Sequence, residues 1–191
     1  GALGAALAAS HLFLGQPRDT TGIVGAIDSM QGSYLGPEFA QSDIEERLMK
    51  AGAKYTVLDD ETLIGDTAVA LADGKSVGWF QGRMEFGPRA LGNRSVLADP
   101  RSRSMQKILN LRVKYRESFR PFAPSVLRED VSDWFDFDSN SPYMLMVANV
   151  KEEHCLEMTE QEKTLFGIDK LNVPRSDIPA VTHVDYSARI Q

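Results

Sequence analysis

Arg83, Arg89 and Arg94 stand six and five residues apart in the segment GRMEFGPRALGNRS, with Gly82, Gly87 and Gly92 between and before them. A guanidinium is a planar fork of donors that grips phosphate or carboxylate through two hydrogen bonds and stays charged when partly buried. The glycines allow backbone conformations closed to other residues and let a ligand come close. Pro88 restricts the chain and fixes the direction of Arg89. Rigidly held arginines with one carboxylate among them, Glu85, predict a phosphorylated or acyl-phosphate ligand. Taken singly, each arginine is equally well explained by an ion pair, Arg83 with Glu85 and the others with distant acids. The charge balance argues against that for the set. Residues 83–120 hold ten basic and three acidic side chains, a net of +7, which leaves −13 for the rest of a chain whose total is −6. A basic island in an acidic chain points to a localised anion site.

A second cluster, KYRESFRPFAP, begins at Lys114. If it is extended, Lys114, Arg116, Ser118 and Arg120 share one face and Glu117 falls on the other. Three cations and a hydroxyl suit a triphosphate or an anion the size of carbamoyl phosphate, and a solvated strand edge explains them equally well. The third feature is THVDYSAR, where His183 and Asp185 are two residues apart. On a strand they share a face and could hold a proton, a metal or a ribose hydroxyl; a local hydrogen bond is the plainer reading.

The elements that must position these groups follow from pattern. Ala2–Leu14 reads as a buried apolar helix, and residues 15–38 as a connector. Ser42 with Glu45 fits a capping box opening a helix that ends near Gly52. Lys54–Leu58 reads as a strand, Asp60–Ala72 as a helix closed by Gly74, and Ser76–Gln81 as a strand that delivers the chain into the arginine loop. Beyond the loop, strands are expected over 95–98, 122–126, 143–150 (strongly buried), 178–182 and 187–191, and a helix over 102–112. Residues 151–177 read as charged and irregular. Short strands mixed with helices indicate an α+β fold.

The chain has 191 residues, 42 % hydrophobic and 25 % charged, which suits one ample soluble domain or one domain and a piece of another. A single cysteine, Cys155, excludes an internal disulfide and makes a reducing, cytoplasmic setting the default. His11, His154 and His183 offer no zinc-ligand spacing. The apolar N-terminal run has no basic leader and is too short to span a bilayer. Its start at Gly1 and the stop at Gln191 suggest a segment excised from a longer polypeptide.

Taken together, GRMEFGPRALGNRSVLADPR, KYRESFRPFAPSVL, SPYMLMV and PAVTHVDYSARIQ closely resemble the C-terminal domain of the NodU/CmcH-type O-carbamoyltransferases. GALGAALAA looks like the last helix of that family's preceding domain, which has an actin/hexokinase-like ATPase fold. The resemblance therefore implies two parts. Residues 1–38 are the tail of the ATPase domain and its connector, and residues 39–191 are a YrdC-like domain, a mixed twisted sheet with flanking helices that is incomplete at its C-terminus. It further implies that this domain joins carbamoyl phosphate with ATP to give carbamoyl adenylate. The N-terminal domain, with its own divalent metal, then passes the carbamoyl group to the hydroxyl of a small-molecule acceptor. By motif position, Lys114 and Arg116 stand where YrdC-type sites use a Lys-x-Arg pair and, with Ser118, form the catalytic group. Arg83, Arg89, Arg94 and Arg120 are carried over as phosphate ligands, and His183, Asp185 and Arg189 as weaker candidates around the nucleotide. The family's Ser-x-Asn element falls downstream of the HVD motif, beyond Gln191, so the site in this segment alone is expected to be incomplete. Partners implied are the acceptor and the chain's own N-terminal domain, with no membrane, nucleic acid disfavoured and a homodimer left open. Two other readings stand beside it: an RNA-binding module of a tRNA-modifying protein, and a buttress with no chemistry of its own.

Overall fold

The structure, a computed structural model, describes residues 2–19 and 28–191. The chain divides into two units, Gly1–Gln31 and Gly32–Gln191. In the first, helix α1 (Ala2–Ala8) continues into a π-helical turn over Ala9–Phe13. The expected helix is there, but its apolar side chains are not buried: Leu12 and Phe13 are 79 % and 86 % exposed. Part of the expected connector, residues 20–27, lies outside the described residues.

The second unit opens with two helices. Helix α2 (Gln41–Lys50) starts one residue before the expected Ser42 cap: Ala40 is its N-cap, with no side-chain cap, and Gln41 instead bonds Glu45. Gly52, at φ 64°, closes it. Helix α3 (Asp60–Ala72) has the expected bounds. The Asp59 carboxylate accepts the Thr62 N–H at 2.8 Å, satisfying an N-terminal donor, and Gly74 takes the left-handed backbone that ends the helix. Between them, the strand expected over 54–58 is irregular and exposed.

Strands β1 (Val77–Phe80) and β2 (Arg94–Leu97) form one antiparallel pair, with Phe80 opposite Arg94. Strands β3 (Met146–Asn149) and β4 (Ser187–Ile190) form another. Helices and small sheets confirm an α+β fold, but the described residues hold two separate two-stranded antiparallel sheets and not one mixed sheet. Segments 122–126 and 178–182 are not strands. The Pro124 carbonyl and the Val126 N–H bond the Gln191 N–H and carbonyl at 3.1 and 3.0 Å, and Val126 packs against the main core. Strand β3 is largely exposed and not strongly buried, since only Ala148 faces inward.

The main core packs Ala148, Ala188 and Ile190 of this sheet on Val131, Phe135 and Ile178. A smaller cluster holds Met105 and Leu109, from the helical stretch that contains α4 (Met105–Ile108). Phe122 packs against both clusters, so the KYRESFR segment is anchored at its end to the junction of the two cores.

Candidate functional site

The arginine loop is the connection of the β1–β2 hairpin, and its shape is set from inside by Glu85. That residue is 4 % exposed, and its carboxylate accepts the Leu91 N–H at 2.6 Å, the Asn93 N–H at 2.8 Å and the Arg94 Nε–H at 3.1 Å. Burial is the largest single influence on its pKa and acts upward. The hydrogen bonds from Leu91, its own backbone, Asn93 and Arg94 together outweigh it, and the carboxyl ends below its ordinary value. Gly87 and Gly92 at φ 128° and 119° supply the reversals that let the chain wrap around one carboxylate.

The loop is also held from outside. The Gly36 N–H meets the Met84 carbonyl at 2.9 Å, Met84 N–H meets Pro37 at 2.9 Å, and Phe86 N–H meets Ser33 at 2.6 Å. The Leu91 carbonyl accepts the Tyr34 hydroxyl at 2.8 Å and the Gln191 side-chain amide at 2.6 Å. Gln191 thereby ties the loop to the end of β4.

Against this scaffold the three arginines of the loop separate. Arg83 donates to the Gly36 carbonyl at 2.8 Å and to Glu38 at 3.1 Å, so its carboxylate is Glu38 and not Glu85. Arg94 is taken by Glu85 and the Gly87 carbonyl. Arg89 is exposed and forms no ion pair among the described residues. It lies close enough to Arg189 for its charge to reinforce burial in lowering the Arg189 pKa.

Lys114 to Arg120 is not the extended strand expected. Lys114 caps the π-helical end of the preceding helix, and Tyr115 turns at φ 48°. The alternation that would align Lys114, Arg116, Ser118 and Arg120 is therefore absent. The segment is organised instead by Asn110, which is fully buried. Its amide donates to the Ser118 and Arg120 carbonyls at 3.1 and 2.9 Å, and its oxygen accepts Arg116 Nε–H at 2.7 Å. Arg116 also lies 5.0 Å from the Phe122 ring centre. Arg120 pairs with Glu117 at 2.8 Å, and Lys114 forms no ion pair among the described residues. Ser118 lines a small cleft with Arg103, Gln106 and Lys107, two further cations without carboxylate partners among the described residues. Phe86 and Phe119 are 68 % and 54 % exposed and pack no core.

The HVD motif forms a turn, with His183 N–H on the Ser187 carbonyl at 2.7 Å and Tyr186 at φ 64°. Ser187 donates its hydroxyl to Asp185 at 2.7 Å and meets His183 Nδ1 at 2.9 Å. The Ser187 bond is the main cause holding the Asp185 carboxyl below its ordinary pKa. Burial pushes the His183 imidazole down, Asp185 opposes this, and Arg189 and Arg175 add to it. Among the described residues, His183 Nε2 and Arg189 Nε are buried without a hydrogen-bond partner.

The structure thus gathers Arg89, Arg189, His183 and Asp185 through neighbouring electrostatics, and Arg116, Ser118 and Arg120 around Asn110. Arg83 and Arg94 are engaged within the loop. Sequence reasoning missed Asn110, Ser187 and Arg175. Arg175 is 2 % exposed and donates Nε–H to the His183 carbonyl at 3.0 Å, fixing that turn from behind. Nothing in the surrounding run NVPRSDIPA, which also carries Asn172, Ser176 and Asp177, marks Arg175 as buried. Among the described residues no three His, Cys, Asp or Glu side chains gather as metal ligands, and no helix is long and apolar enough to cross a membrane.

Residues 68–191 match the model of the family described as carbamoyltransferase C-terminus. Over its whole length the chain is 56 % identical to an uncharacterized protein of Synechocystis, covering 31 % of that protein. It is 40 % identical to the nodulation protein NolNO of Sinorhizobium fredii, again over its whole length and covering 24 % of it. The 3'-hydroxymethylcephem-O-carbamoyltransferase of Streptomyces clavuligerus is 37 % identical over the whole chain, which covers 29 % of that enzyme. The chain thus spans less than a third of the length of these relatives.

Proposed function

The chain belongs to the carbamoyltransferase C-terminal family, and from that premise we propose that it forms carbamoyl adenylate within a longer O-carbamoyltransferase. Carbamoyl phosphate, ATP and water would give carbamoyl adenylate, phosphate and pyrophosphate. A preceding ATPase-like domain, carrying its own divalent metal, would then pass the carbamoyl group to a hydroxyl of a small acceptor in the cytoplasm. The proposal extends to a YrdC-like ancestry for the fold.

One observation carries this reading. Arg89 lies near enough to Arg189 for its charge to add to burial in lowering the Arg189 pKa, and neither forms an ion pair among the described residues. Two neighbouring guanidiniums without carboxylate partners repel one another, and a bound phosphate relieves that repulsion. Transfer between phosphates and a carbamoyl group asks little covalent chemistry of the protein. It needs positioning and positive charge where negative charge builds up. Glu85, by clamping Leu91 and Asn93, gives Arg89 a fixed base from which to act. Asn110 does the same for the chain around Arg116 and Ser118.

The test is exchange of labelled pyrophosphate into ATP by the full-length protein, with and without carbamoyl phosphate. Exchange that requires carbamoyl phosphate supports adenylate formation. Its absence rejects the reading, and calorimetry with ATP, AMP and carbamoyl phosphate then separates a buttress, which binds none of them.

A further inference from the structure

The most telling unsatisfied groups in the described structure are two buried nitrogens of opposite character. Ser187 has one hydroxyl proton, and it goes to Asp185, whose carboxylate can only accept. The Ser187 oxygen therefore receives the bond from His183, so the imidazole proton sits on Nδ1. Burial, opposed by Asp185 and aided by Arg189 and Arg175, lowers the His183 pKa and so favours the neutral ring. Nε2 is left as a bare lone pair, buried and with no partner, while Arg189 Nε presents a buried N–H, also with no partner. Groups of this kind are rare in folded proteins because an unmade buried hydrogen bond is costly, and a ligand that completes both removes the cost.

The geometry points to His183 Nε2 as the acceptor that reads the amide N–H of the carbamoyl group. Arg189 Nε–H binds the adjoining oxygen, and Arg89, near enough for its charge to act on Arg189, takes the attached phosphate. This rests on the proposed use of carbamoyl phosphate and adds to it a basis for specificity. An amide places a donor next to an acceptor, the complement of the two orphan atoms. An acetyl group has nearly the same shape but offers a methyl where the N–H must be, which leaves Nε2 buried and unmatched. A site built to bond an N–H rejects the analogue without it far more strongly than shape alone allows. Asp185 and Ser187 have a positioning role: they select the His183 tautomer and touch no substrate.

The experiment compares carbamoyl phosphate with acetyl phosphate in pyrophosphate exchange by the full-length protein. The expected preference of the unaltered protein is on the order of 100-fold or more. His183→Met, which has no comparable acceptor, is expected to compress it to below about 10-fold, and His183→Gln, whose amide oxygen accepts, to restore part of it. Ser187→Ala frees the tautomer and should give an intermediate loss. As a readout independent of variant folding, the imidazole nitrogen spectrum of the unaltered protein should show an unprotonated Nε2 that shifts with carbamoyl phosphate and not with acetyl phosphate. Full discrimination in His183→Met, or a protonated Nε2, overturns the inference and leaves adenylate formation standing. A shift caused by AMP alone assigns the pair to the nucleotide and overturns it too. No carbamoyl phosphate-dependent exchange in the unaltered protein overturns both.

Discussion

Glu85 and Arg94 meet at 3.1 Å inside the arginine loop, with the carboxylate side chain fully shielded from solvent and the guanidinium about one-third exposed. The pair makes the loop a closed object. The same carboxylate also holds the N–H groups of Leu91 and Asn93, so one side chain replaces the backbone ladder that a longer hairpin would have used. Replacing Glu85 by Ala leaves two amides and a guanidinium without their acceptor. The expected cost is about 3 kcal/mol, seen as a lower urea midpoint. Glu85→Gln, which keeps one acceptor oxygen but no charge, should lose less.

The same residue gives a pH dependence with a definite sign. The folded-state pKa of Glu85 lies below its unfolded value of about 4.3, so the folded protein binds fewer protons there than the unfolded chain. Its contribution is complete above that unfolded value and is lost as pH falls through the lower folded value. Asp99 and Asp185 are depressed as well and act in the same direction. The part due to Glu85 is isolated by comparing the unaltered protein with Glu85→Gln: the gap in urea midpoint should narrow steadily as pH is lowered below about 4. A gap independent of pH would mean that the charge at Glu85 contributes nothing.

What was legible in the sequence was local. Helix α3 was readable to the residue because its start, Asp59 on Thr62, and its stop, Gly74, lie within its own span. Lys54–Leu58 has the composition of a strand but no partner in the described structure, and a lone strand has nowhere to place its hydrogen bonds. The site divided the same way. That residues 83–120 carry surplus positive charge was plain; which cations are spent was not. Arg83 is neutralised by Glu38, 45 residues upstream, and the Leu91 carbonyl is bonded by Gln191, 100 residues downstream. The extended reading of Lys114–Arg120 failed because Asn110 draws the carbonyls of Ser118 and Arg120 onto one amide, a tertiary preference that no alternation encodes.

Arg89 and Arg94 belong to one motif and should respond oppositely to truncation. Arg94→Ala removes a partner from a buried carboxylate and should reduce stability by about 3 kcal/mol. Arg89→Ala removes an exposed cation with no ion pair among the described residues, and stability should stay within about 0.5 kcal/mol. If Arg89 binds phosphate, its loss should instead lower carbamoyl phosphate-dependent exchange by about 100-fold. Thermal unfolding and exchange measured on both variants separate the two roles. Equal stability losses would show that the distinction drawn from their partners is wrong.

Asn110 offers a test of whether the KYRESFR segment needs its buried anchor. It makes three side-chain hydrogen bonds with no exposure at all, so Asn110→Ala strands the Arg116 Nε–H and two carbonyls, at an expected cost of about 2 kcal/mol. Asn110→Asp distinguishes the halves of the amide. A carboxylate would still accept from Arg116 with added charge, but it cannot donate to Ser118 and Arg120. If the anchor acts through the carbonyls, Asp should be as harmful as Ala and residues 114–120 should become more open to proteolysis. If it acts through Arg116, Asp should be tolerated. The two donated bonds outnumber the one received, and the aromatic face of Phe122 already holds Arg116 from the side. The expected outcome is therefore that Asp fails, with faster cleavage confined to this segment.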